Sequence, residues 1–323
     1  MRMPRIKAKK GRDGLYHCMS RTVGGEFLLG DREKEMFVRM MWRVAEFLRI
    51  EILDYVIMSN HYHQLIRVPG VVELNDEQLH ERIKAYYGEE SLEVLMLEEA
   101  MAEGGDALES LKKRHLERMG NVSEFEKILK QGFSIWYNKR NNRRGTLWME
   151  RFKSVLVEDT LAARQIMATY IDLNPVRAEM VSDPKNYRFC GYAAALGCDK
   201  RCRDGIKEIM GISNWKGAAS AYRMVLLQRG NTKVHGKKGA ISRGMLLETF
   251  DKEGTLSQAE LIRLKVRYFS DGLVLGSELF VEDVFEQYRS HFGEKRKSGS
   301  RSIRGFVDSP LRVIRDLKVD PIS

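Results

Sequence analysis

Cysteine is scarce in this chain: Cys18, Cys190, Cys198 and Cys202 are the four among 323 residues. That is too few for the disulfide framework of a small secreted domain. Cys198 and Cys202 are spaced like metal ligands, but no second pair or nearby histidine completes a zinc site. No apolar stretch is long enough for a signal-peptide core or a membrane span. A cytoplasmic protein with reduced thiols and no membrane partner is therefore expected. There is no Gly-rich P-loop and no internal repeat, so neither an ATP-driven machine nor a solenoid is indicated.

Acidic residues are outnumbered by basic ones outside one segment. Residues 71–110 hold twelve Asp/Glu against Arg82 and Lys84, while the whole chain carries +10, so the remainder carries about +20. A basic body is the electrostatic footprint of a polyanion binder, and the acidic segment reads as a helical insertion over about 71–122, away from the binding face. The first twelve residues, with six bases and no acid, read as an arm able to touch phosphates. Apolar content of 43% supports a real core.

Hydrophobic periodicity gives the element order. "GLYHCMSRTV" reads as a strand, and Asp31 as the cap of a helix through Phe47. "IEILDYVIM" and "HYHQLIRV" form a hairpin about Ser59 and Asn60. Ser123 and Glu126 have capping-box spacing ahead of a helix to Arg140. "RFKSVLVED" is the next strand, and Asp159 opens a helix toward Asn174. This β-α-β-β-α-β order predicts an α+β fold, a ferredoxin-like split βαβ antiparallel sheet with helices on one face, followed by a C-terminal all-α region. The predicted organisation is a catalytic domain over 1–190, an accessory helical region over 191–300 and a basic mobile tail over 301–323. Within the accessory region, 231–243 reads as a linker. The helices near 256–270 and 277–293, separated by "DGLVLG", have the layout of a helix-turn-helix.

His61 and His63, two of only seven histidines, stand at i and i+2 of a strand and so leave the same face. Such a pair suits a divalent metal, and equally suits two partly buried imidazoles bonded to neighbours. In the helix after Asp159, Ala163, Ile166, Met167, Tyr170 and Asn174 share one stripe, so Tyr170 and Asn174 lie a turn apart on the face toward the sheet. The plain alternative is a core tyrosine and an asparagine ending the helix before Pro175.

Together "IMSNHYHQLI" and "TYIDLNPVRAEMV", with "GTLWMERFKSVLVED" between them, resemble the single-tyrosine HUH transposases of the IS200-like class, especially the REP-associated tyrosine transposases. The resemblance covers roughly residues 1–190. Tyr62 is bulkier than the family's usual aliphatic residue, and the acidic insertion is longer than a minimal member needs. The resemblance implies a DNA transposase that nicks and rejoins single-stranded, hairpin-forming DNA. Tyr170 would be the nucleophile of a 5′-phosphotyrosine intermediate, and His61, His63 and Asn174 would hold Mg²⁺ or Mn²⁺. It leaves both a monomer and a homodimer open.

"WYNKRNNRRGTLW" interleaves aromatic and basic residues as single strands require, so Lys139, Arg140, Arg143, Arg144 and Trp148, with Arg151, Lys153 and Arg177, are candidate DNA contacts. The plain alternative for that stretch is a solvated basic loop flanked by core aromatics. His17, on the neighbouring strand, is a candidate partner behind the metal ligands. Two other functions fit the same fold: a nucleic-acid-binding protein without catalysis, and a metal-dependent nucleotide hydrolase. The hydrolase would want a third histidine or several carboxylates beside "HYHQL", which supplies neither.

Overall fold

The computed structural model describes residues 5–230, 272–302 and 311–314. Strand β1 (Gly14–Arg21) leads through a short 3-10 turn to helix α1 (Asp31–Phe47), then to the hairpin β2 (Glu51–Ile57) and β3 (His61–Val68). The acidic insertion is three helices, α2 (Asp76–Tyr87), α3 (Leu92–Glu103) and α4 (Gly105–Leu116). The long helix α5 (Val122–Arg140) and strand β4 (Lys153–Val157) complete the split βαβ unit, with β2-β3-β1-β4 antiparallel throughout.

Helices cover both faces of this sheet, not the one expected. α1 and α5 lie on one side. On the other lie α6 (Leu161–Asp172), the single turn α7 (Asn174–Arg177), α8 (Gly191–Leu196) and α9 (Lys200–Met210), followed by α10 (Trp215–Gly230). The strands show why: β1 is buried at every position from Gly14 to Ser20, which requires cover on both faces. Cys18, Tyr62 and Gln64 face α1 and α5, where Tyr62 meets Phe37 and Phe133 meets Phe37 and Trp148. Burying each such ring stabilises the fold by roughly 1.5–3 kcal/mol. His17, Met19, His61, His63 and Leu65 face α6. α9 packs tightly on β2 because residue 205 is glycine; a Cβ there would overlap the Leu53 carbonyl.

The region after residue 190 is not purely helical. β5 (Val274–Gly276) pairs parallel with β4, α11 (Glu278–Gln287) follows it, and β6 (Arg301–Ser302) and β7 (Arg312–Ile314) extend the sheet to seven strands. Residues 274–276, within the stretch read as a helix-turn-helix turn, are themselves a sheet strand, and part of the expected tail is strand. Runs of two or three strand residues carry no period to read. The expected linker at 231–243 and helix at 256–270 lie outside the described residues.

The N-terminal arm, as far as it is described, is docked. Arg5 donates to Ser123 Oγ at 2.9 Å, and Lys9 pairs with Asp283 at 2.7 Å.

Candidate active site

The two histidines leave one face of β3 and their ring centroids lie 5.2 Å apart. Antiparallel register sets His61 opposite Arg21, His63 opposite Met19, and Met19 opposite Lys153, so Arg21 flanks the pair on the adjacent strand β1 and Lys153 lies in the same row one strand further, on β4. α6 delivers Tyr170 to this face. Its ring lies 5.6 Å from both His63 and His17, edge-on to each. Thr160, rather than Asp159, caps α6 by accepting from Ala163 N.

A hydrogen bond sets the polarity of His61, and the contact at His63 is compatible with the same one. His61 Nδ1 lies 2.6 Å from Asn60 Oδ1, an acceptor, so Nδ1 carries the proton and Nε2 holds the lone pair. His63 Nδ1 lies 2.9 Å from His17 Nε2; if His63 donates, its Nε2 is likewise the bare nitrogen, with His17 in the orienting role expected of it. Burial holds both imidazoles neutral, assisted at His61 by Arg21 and at His63 by His17 and His61; His61 is lowered to about 4 and His63 is held well below the usual range. Neutral imidazole is the form that binds metal.

Asn174 opens α7, and its Nδ2 donates to the Tyr170 and Ile171 carbonyls at 3.0 and 3.1 Å, leaving Oδ1 as its acceptor atom. Two imidazoles and an amide oxygen are a donor set that fits one divalent ion with open positions. Among the described residues no three His, Cys, Asp or Glu side chains group as a metal site.

Tyr170 is 1% exposed. The Arg177 guanidinium lies 4.4 Å over its ring centre and donates to the Tyr170 carbonyl, with Nε 3.3 Å from the Leu173 carbonyl. Burial lowers the Arg177 pKa to about 10, and the phenol beside it works the other way. Arg177 therefore caps the end of α6 and covers the tyrosine in this conformation.

The other candidate DNA contacts divide. Lys153 lies in the His63 row, and Arg151 is exposed just before it. Lys139, Arg140 and Arg144 are exposed around the end of α5, and Arg143 braces the loop by donating to the Thr146 carbonyl at 2.9 Å. Trp148 offers no stacking face: it is 7% exposed, packs against Tyr62 and Phe133, and its indole N–H meets Ser134 Oγ at 3.0 Å. Of its aromatic neighbours, Phe133 comes from the preceding helix α5 but Phe37 comes from α1, distant in sequence, and the local mixture of bases and aromatics conceals that.

Arg21 is the site residue that the sequence pattern overlooked. It follows His17 by four positions on the same strand, so period-two alternation places it on the same face.

No family model matches the chain, and no curated protein matches it. Among solved structures, the chain is similar to a REP-associated tyrosine transposase bound to a REP hairpin, at 16% identity and a TM-score of 0.39, over 61% of this chain and 86% of that one.

Proposed function

We propose that this chain breaks and rejoins single-stranded DNA through Tyr170. The observation that carries the reading is the convergence of the tyrosine of α6 on the paired histidines of β3, residues more than a hundred positions apart, with Tyr170 and His63 ring centroids 5.6 Å apart. The sequence resemblance supplies the chemistry for that arrangement. The Tyr170 oxygen attacks phosphorus and loses its proton, the P–O3′ bond breaks, and the departing 3′ oxygen takes up a proton. The product is a 5′-phosphotyrosine and a free 3′-hydroxyl. Attack by a 3′-hydroxyl then breaks the phosphotyrosine bond and restores a phosphodiester, so no energy source is consumed.

His61 Nε2, His63 Nε2 and Asn174 Oδ1 would hold Mg²⁺ or Mn²⁺, which when bound supplies positive charge to a non-bridging phosphate oxygen. Arg21 and Lys153 would hold neighbouring phosphates. Arg177 would have to leave the Tyr170 ring before attack, and an entering phosphate is the anion suited to draw it away.

The burial of Tyr170 favours a second reading, a binding protein on the same fold that performs no chemistry. Labelled single-stranded hairpin DNA, incubated with Mn²⁺ and run on denaturing gels, separates the two. The strand-transfer reading expects a covalent adduct that is lost in Tyr170→Phe, in His61→Ala, in His63→Ala and in EDTA. Binding with no adduct under any condition supports the second reading.

A further inference from the structure

Phe27 is 81% exposed, on a loop too well fastened to be idle chain. Thr22 N donates to the Asn60 carbonyl at 2.9 Å, with Thr22 Oγ1 3.0 Å from the same oxygen, and Leu29 N donates to the Ser59 carbonyl at 2.9 Å. Both ends of the loop are thus tied to the β2–β3 turn. Within it, Thr22 Oγ1 also lies 2.7 Å from the Glu26 carbonyl. Gly24 and Gly25 take φ of 64° and 71°, which side-chain-bearing residues rarely adopt.

The decisive link is Asn60. Its Oδ1 accepts from His61 Nδ1 at 2.6 Å, and its Nδ2 donates to the Gly25 carbonyl at 2.9 Å. A single amide therefore joins the open histidine of the site to the loop that carries Phe27. Single exposed apolar residues are common and usually mean nothing. This one is a flat ring two residues beyond a carbonyl fixed to the site, with Arg21 exposed at the near end of the same loop. Glu26, its neighbour in the chain, acts on Tyr137, as Glu33 does more strongly.

We infer that Phe27 is a stacking platform for a base of the single strand, beside the phosphodiester held at the histidine face. The inference rests on the strand-transfer reading for its ligand. Arg21 supplies phosphate attraction and the phenyl face supplies a base-tolerant surface, the combination by which single strands are held without sequence readout. Asn60 then sets the spacing between the stacked base and the histidines.

The test uses the full chain carrying Tyr170→Phe, so that binding is read without chemistry, and a labelled single-stranded oligonucleotide with 2-aminopurine at successive positions. Because Phe27 is solvent-exposed, its substitutions spare the fold. Phe27→Ala should weaken binding roughly 5- to 150-fold with the salt dependence unchanged. Phe27→Trp should retain binding, with its indole emission quenched by the oligonucleotide and one 2-aminopurine position responding. Arg21→Ala should instead flatten the log–log salt slope by about 0.7. Undiminished binding by Phe27→Ala, with the covalent adduct still formed by the chain that keeps Tyr170, overturns the platform alone. An intact Phe27 effect without any adduct keeps the platform and overturns strand transfer. Failure to bind single strands at all overturns both.

Discussion

Replacing Glu126 with glutamine should remove a pH dependence of stability that the sequence conceals. Glu126 is fully buried on α5, under the sheet face opposite the histidines, and accepts from Tyr62 Oη at 2.5 Å. Burial raises its pKa from 4.5 to about 7, with the Tyr62 bond and Lys130 pulling partly back. A carboxyl raised on folding favours the native state fully below its unfolded pKa, and that contribution fades as pH rises through the folded value. At roughly 1.4 kcal/mol per pH unit, moving from 4.5 to about 7 corresponds to about 3 kcal/mol lost between pH 4.5 and 7.5. Lys130, lowered to about 8 by burial, enters only above that window.

Glu126→Gln keeps the acceptor for Tyr62 but cannot titrate. The variant should match the native chain near pH 4.5 apart from a constant offset, and gain on it by up to about 3 kcal/mol at pH 7.5. Urea unfolding of both proteins at several pH values reads the difference directly. Parallel pH profiles would refute the reasoning, because they would mean that Glu126 titrates alike folded and unfolded.

Three further outcomes are expected. Trp148→Ala should cost on the order of 3–5 kcal/mol in urea unfolding and leave the salt slope of DNA binding unchanged, since the ring fills core rather than stacking on a base. Asp183, buried, holds Arg223 through two bonds of 2.7 and 2.5 Å. Asp183→Ala should destabilise by about 3–5 kcal/mol, read by the same unfolding measurement. Burial alone would raise the Asp183 pKa, but Arg223 and the Lys185 amide outweigh it and hold it low. The pair's contribution is therefore present above the ordinary carboxyl range and is lost as pH falls below that range, through the depressed folded value. Replacing Lys139, Arg140, Arg143 and Arg144 together with Ala should lower the log–log salt slope by about 0.7 for each phosphate no longer neutralised, read by anisotropy; an unchanged slope would mark that loop as solvated surface.

The sheet and the approach of Tyr170 to the histidines were legible because both rest on short periods, two along a strand and 3.6 along a helix. His17 was legible for the same reason, one strand away. What failed depended on distant partners. Ser123 and Glu126 have the spacing of a capping box, yet Asn121 caps α5 by accepting from Ser123 N, and Glu126 is drawn into the core by Tyr62. Nothing local distinguishes a buried glutamate from a capping one. Trp148 likewise sits among bases in sequence and among aromatics in space. The second helical layer was missed because near-continuous burial in β1 is broken in sequence by His17 and Ser20, both of which are buried.

The central claim is that the Tyr170 oxygen takes up a DNA 5′-phosphate, and peptide mapping tests it most directly. The native chain is incubated with single-stranded hairpin DNA and Mn²⁺, denatured, and digested with nuclease and then trypsin. Cleavage after Arg164 and Arg177 releases residues 165–177, in which Tyr170 is the one tyrosine. The account predicts a nucleotide-phosphate mass on that peptide, with fragment ions placing it on Tyr170 and no such mass in Tyr170→Phe. A nucleotide mass on the Tyr137 or Tyr187 peptide instead, with 165–177 unmodified, would contradict it.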